Sequence, residues 1–358
     1  MVKLSFVNNP IQNKQSRPIG VLASIAAGFD QITARPQLIV PILLLDLFLW
    51  FGPHLSIAPL IPQDLALIGA AADGVAYAEE VAVNLEEVVR GLNVLGGLSV
   101  YPLGLPFNMV IGLASILPGV PSLMASRIPT ETPIGAPVFV AIDDAFVAIL
   151  AWTACVICGL YVGVFLHRSV ARQVAPDSER ASRWTAWRDS LALGLGAFIV
   201  GTLFILVCSL LITIVNVVFH GEVEVALGVL VLISILSLCS WIAIYLYFTV
   251  HGIVLHGYGL IRAMLESVNF VRVNLISAVS FLLLAFGITL VLTNFVWFLP
   301  QDESWLMLLA VFGHAFVGAT LLAASYVFYQ QRREWLAELM AESIDTIATG
   351  GDPGQPVA

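Results

Sequence analysis

The chain has 358 residues, 59% of them hydrophobic and only 11% charged, with a mean hydropathy of +0.96. Soluble globular chains carry about 25% charged residues, so a water-soluble fold is excluded and the solvent must be lipid. The net charge of −9 argues against nucleic acid as a partner, because phosphate binding needs clustered Lys and Arg.

Residues 1–36 read as a cytoplasmic arm with an interfacial helix. Asn8, Asn9, Pro10, Gln12 and Gln15 leave no apolar run for a cleavable signal peptide. The first long apolar segment, 37–57, lacks a small-residue cleavage site and reads as a retained signal-anchor helix. A membrane-crossing helix needs about 20 apolar residues. Six segments meet that length: 37–57, 143–166, 190–216, 225–250, 273–299 and 305–329. The expected fold class is all-α: a polytopic integral membrane protein of six transmembrane helices (37–330), with interfacial amphipathic helices and an outer helical cap.

Basic residues alternate between the two sides of this thread. All of the 15 Lys and Arg except Arg90 and Arg127 fall on one side. The other side carries Asp64, Asp73, Glu79, Glu80, Glu86, Glu87, Glu131, Glu222, Glu224, Asp302 and Glu303. The positive-inside rule puts both termini in the cytoplasm of a multi-pass protein of the cell membrane.

The connection between the first two spans, 58–142, is long and lies outside the cytoplasm in this map. Its part 64–95 has helical period, with Val81, Leu85, Val88, Leu92 and Leu95 on one face. Its part 96–137 is broken by Pro102, Pro106, Pro118, Pro121, Pro129, Pro133 and Pro137. Proline at that density forbids a long spanning helix; a short seventh span around 103–117 is the alternative, and it would break the charge alternation. Short pieces lying in the outer interface or capping the bundle are expected there. By contrast, the third and fourth spans meet through 220–224, and the fifth and sixth through 300–304. Links that short force antiparallel neighbours. The tail, 331–358, divides into an amphipathic helix (Leu336, Leu339, Met340, Ile344 and Ile347 on one face) and a segment from 350 too poor in apolar residues to order.

A weak internal repeat runs through the spans. Ala-Arg-Pro-Gln-Leu-Ile (34–39) precedes the first, Ala-Trp-Arg-Asp-Ser-Leu (186–191) the third, and Val-Arg-Val-Asn-Leu-Ile (271–276) the fifth. Each unit reads as an interfacial helix followed by a two-helix hairpin.

The stretch His-Gly-Tyr-Gly-Leu-Ile-Arg-Ala-Met-Leu-Glu-Ser-Val-Asn-Phe-Val-Arg-Val-Asn (256–274) resembles a cytoplasmic linker helix of a bacterial family. These are multi-pass membrane domains attached to some glycerophosphodiester phosphodiesterases, together with stand-alone relatives of unknown function. Residues 28–36 and 326–334 look similar to that family as well. The resemblance implies a layout of spans. It passes on no catalytic residue, since the soluble phosphodiesterase barrel is not expected after residue 330.

Among residues that could carry chemistry, Asp46 is the most costly. It lies ten residues past Pro36, ~15 Å into a ~30 Å hydrocarbon core, where a bare charge costs a few kcal/mol or more. His314 follows Trp305 by nine residues and sits ~14 Å from the outer face. The matching depths nominate Asp46 and His314 as an intramembrane polar pair, either a structural clamp between helices or a proton-linked solute site.

Other constellations favour plain readings. Cys155 and Cys158 form a CxxC with no second CxxC and no nearby His, so they read as small packing residues. Asp143 and Asp144 read as an N-terminal cap. Glu86, Glu87 and Arg90 read as a solvated face. His251 and His256 are five apart, wrong for joint metal ligation from one helix face, and flank an interfacial helix break. Asn216 and Asn294, nearer the outer end of their spans, are expected to bond a neighbouring carbonyl. Trp184 and Trp187, among Arg180, Arg183 and Arg188, suit anionic headgroups. No catalytic, cofactor or metal motif is complete. The expected function is a non-enzymatic membrane component that meets the lipid bilayer or a membrane-protein partner. The alternative is a small-solute or proton-linked transporter using Asp46 and His314, and a membrane-embedded hydrolase is a distant third.

Overall fold

The computed structural model describes residues 18, 20–60, 93–100, 117–125, 131–176, 182–196, 222–298 and 301–348. The helix expected over 64–95, up to residue 92, most of the third span, Glu86, Glu87, Arg90, Asn216, the side chain of Asn294 and the tail beyond 348 lie outside the described residues. The end of that expected helix falls in a 3-10 turn, Val94–Ser99.

The chain is largely helical. In order it forms α1 (Val21–Ala34), a 3-10 turn (Pro36–Ile39) leading into α2 (Val40–Phe51), β1 (His54–Ser56), β2 (Phe139–Ala141) and α3 (Ala145–Val174). Helix α4 covers 183–196. It is followed by α5 (Glu222–Leu246), α6 (Thr249–His256), α7 (Leu260–Val273), α8 (Leu275–Phe298) and α9 (Met307–Ala348). Among the described residues, three helices are long and apolar enough to cross a membrane: α3, α8 over Leu275–Leu292, and α9 over Met307–Ala341. They mark the chain as a membrane protein, and they cover the expected spans 143–166, 273–299 and 305–329.

The first expected span differs. Helix α2 ends at Phe51, not 57, because Gly52 turns extended and Pro53 cannot continue a helix. The chain then pairs as β1 with β2 in a parallel two-stranded ribbon, His54 opposite Phe139 and Ser56 opposite Ala141. Helix α1 and the Pro36–Phe51 segment meet at 99°, the break falling at Arg35-Pro36. Helix α1 presents Ser24, Ile25, Gly28 and Ile32 to the core. Gly28 lies so close to α9 that a Cβ there would sit 2.6 Å from the Thr320 carbonyl oxygen.

The expected fourth span, 225–250, is also interrupted. Helix α5 stops at Leu246 and α6 resumes at Thr249 after a turn at Tyr247–Phe248. Ser267 of α7 repairs the freed backbone. Its Oγ accepts from Phe248 N at 3.1 Å and donates to Tyr245 O at 2.7 Å. Such side-chain repair is what allows a helix to break inside an apolar bundle. Gly257, at φ 66°, ends α6 with its N–H donating to Ile253 O, a left-handed cap that glycine adopts without strain. The tail is not separate from the sixth span: α9 runs unbroken for 42 residues.

Residues 117–125 do not lie over the bundle as an outer cap. Val120, Pro121, Ser122, Leu123 and Met124 are buried, between α2, α3 and α9. Helix α3 makes room with Gly159 and Gly163. A Cβ at Gly163 would collide with the Pro118 carbonyl oxygen, and one at Gly159 with the Leu98 carbonyl oxygen. The spacing of four puts both glycines on one helix face, where small residues let a neighbouring backbone approach. The prolines exclude a helix here, as expected. They do not keep the segment outside, because irregular backbone is tolerated at depth when protein encloses it.

Candidate functional site

Helix α2 carries Asp46 into the middle of this enclosure. It lies five residues before Phe51, ~7.5 Å from the end of the helix, and is fully buried. Its Oδ1 accepts from Ser122 Oγ at 2.5 Å and from Met124 N at 3.1 Å. Ser122 Oγ in turn accepts from Ala125 N at 3.0 Å. The carboxylate therefore closes a tight turn of the inserted segment, as a capping Asp closes a helix start.

Its other oxygen faces α9. Asp46 Oδ2 lies 3.5 Å from His314 Nδ1, and neither atom makes a hydrogen bond within the protein. The structure thus brings together the two residues that matching depths nominated, and adds Ser122 and the Met124 amide, which sequence reasoning missed. Nothing in a proline-rich stretch signals that one of its serines points at a carboxylate 76 residues away.

The inserted segment is tied a second time, toward the other end of α9. His167 of α3 is buried, hydrogen-bonds the backbone of Gly119, and places Nδ1 3.0 Å from Tyr326 Oη. Beside it His251 of α6 places Nε2 2.8 Å from Ser325 Oγ, with its ring 4.2 Å from that of Tyr326. His167 was also missed, since a lone histidine in an apolar span gives no partner by spacing.

His256, five residues on from His251, meets a different neighbour. Arg333 of α9 donates to His256 Nε2 at 2.7 Å, to the Tyr258 hydroxyl, and to Glu266 Oε1 at 3.4 Å. Partial burial, reinforced by the Arg333 charge, pushes the His256 pKa down to about 4, so the imidazole is neutral at pH 7 and free to accept. The two histidines share no ligand position. Among the described residues no group of three or more His, Cys, Asp or Glu could hold a metal ion.

The remaining nominated residues take structural places. Asp144 caps α3, its carboxylate accepting from Val147 N at 3.0 Å, while Asp143 is exposed. Cys155 packs toward the Gly97 backbone, Cys158 is exposed, and both are free thiols. Trp184 and Trp187 stack on each other at 4.8 Å between ring centroids.

Searches against protein-family models, curated proteins and solved structures find no match for this chain.

Proposed function

We propose that this chain is a non-enzymatic integral membrane component that crosses the bilayer six times with both termini in the cytoplasm, and that it supports lipid or partner-protein interactions. The uneven placement of Lys and Arg supports that orientation. One observation carries the functional reading: the costliest side chain in the apolar bundle is spent on the chain's own backbone. Asp46 is enclosed by protein and holds Ser122 and Met124, which is how a polar clamp between segments behaves. The layout resemblance of 256–274 leads the same way, because in that family the soluble barrel carries the chemistry.

A second reading has its own support. Asp46 Oδ2 and His314 Nδ1 face each other at 3.5 Å without other hydrogen bonds. An intramembrane carboxylate–imidazole pair beside irregular backbone is the usual setting of a proton-linked solute site. The two readings separate in proteoliposomes containing a trapped pH dye. The component reading predicts proton flux equal to that of empty vesicles for both the native protein and Asp46→Asn. A flux that the native protein supports and Asp46→Asn abolishes would sink it and establish the transporter.

A further inference from the structure

Helix α7 has two faces of different character. Ala263, Ser267, Phe270 and Val271 are buried, the last two in the core that also holds Phe328 and Tyr329 of α9. The outward face carries Ile261, Leu265 and Val273, continued by Ile276 of α8, and all four are well exposed, Ile276 at 83%. On that same outward face stand Arg262 and Arg272, both exposed.

The charges on this face are unbalanced. Glu266 is the helix's sole acid, and it turns inward to Arg333 at 3.4 Å. Neither Arg262 nor Arg272 has a carboxylate partner among the described residues. The Arg262 guanidinium is held 4.3 Å over the Tyr258 ring, a cation–π contact that leaves the side chain exposed. Apolar side chains interleaved with free arginines suit neither bulk water nor hydrocarbon. They suit the boundary between them, where arginine stems lie along apolar surface and the heads reach the phosphates.

We infer that the outward face of α7 is a binding surface for anionic lipid headgroups. The inference rests on the reading of this chain as a membrane component, and it names the lipid class. Charge decides the occupant. Two guanidiniums without a carboxylate partner among the described residues, beside an apolar stripe, attract an anionic leaflet and gain little from a zwitterionic one.

The test uses the full chain in detergent, with bound lipid counted by native mass spectrometry in equimolar phosphatidylglycerol and phosphatidylcholine. The native protein should retain phosphatidylglycerol roughly tenfold more strongly. Arg262→Gln with Arg272→Gln should bring the two lipids near parity, and Arg262→Lys with Arg272→Lys should keep most of the preference. Lys is a point charge and preserves attraction without the fork. Equal retention by the native protein overturns the inference. So does an unchanged preference in the glutamine variant, or salt-dependent capture of an acidic protein with no lipid preference. Extraction of the chain from membranes by alkaline carbonate would remove the membrane reading as well. Stable integration without headgroup preference removes only this surface.

Discussion

Three polar ties sit along α9, at His314, at Ser325 and Tyr326 eleven and twelve residues further on, and at Arg333 nineteen residues on; the first and the last differ in how completely they are paired. At His314 the tie is fully enclosed and leaves Asp46 Oδ2 and His314 Nδ1 without hydrogen bonds. At Arg333 the tie is partly open to solvent, and Nε, Nη1 and Nη2 of the guanidinium all have partners. The first holds an irregular segment inside the bundle. The second joins α6, α7 and α9, which are already regular helices. Buried polar groups are costly unless paired. The incomplete pairing at Asp46 therefore sits where the backbone itself needs an anchor, and the complete pairing sits where it does not.

The largest expected effect breaks the enclosure without touching a polar group. Gly163→Ala puts a methyl against the Pro118 carbonyl oxygen, and backbone on both sides cannot give way cheaply. It should cost about 3 kcal/mol or more, read as a large drop in melting temperature in detergent. A melting temperature equal to the native value would mean that 117–125 does not occupy this place.

Next comes the anchor. Asp46→Ala leaves the Ser122 hydroxyl and the Met124 amide without their acceptor, at about 1–3 kcal/mol each. Asp46→Asn keeps one acceptor oxygen and should cost less. If both variants melt like the native protein, the clamp has no energetic content.

The Arg333 tie is sharpened by pH. The His256 pKa is lowered in the folded chain to about 4 from an ordinary 6.5, so between those values the unfolded chain binds the extra proton. Stability from this group is complete above about pH 6.5 and is lost as pH falls toward 4. His256→Gln should flatten the melting profile in that window, and Asp46→Ala should leave the His256 contribution in place. A profile that stays unchanged in His256→Gln would assign the acid sensitivity elsewhere. The smallest effect is expected at Cys158, exposed on α3. Cys158→Ser should change stability by less than about 0.5 kcal/mol, and a larger change would reopen the CxxC as more than packing.

Some of this was legible from residue order alone. The helices over 145–174 and 275–298 each contain a stretch of about 20 or more residues without a charge, 145–166 and 275–298, and that length announces them. Asp46 and His314 could be paired because helix rise converts sequence distance into depth. The breaks were less visible. Tyr247 and Phe248 are as apolar as their neighbours, and the interruption depends on Ser267, nineteen residues away. Gly52-Pro53 did mark the end of α2, but it was outweighed by the apolar residues beyond it. The prolines between 96 and 137 argue only against a long helix there. Whether such a segment rests on the bundle or enters it depends on Gly159 and Gly163 of another helix, a tertiary fact with no local signal.

The insertion of 117–125 is tested most directly by a covalent bridge. A Cβ built at Gly318 of α9 lies 3.2 Å from Pro121 Cβ, within a few tenths of an ångström of disulfide spacing. In a background with Cys155, Cys158, Cys208 and Cys239 replaced, Pro121→Cys with Gly318→Cys should oxidise to a single intramolecular bridge, seen as a loss of two mass units and of both maleimide-reactive thiols. Two free thiols under the same oxidation, with the residue 121 thiol open to a membrane-impermeant maleimide, would contradict the account.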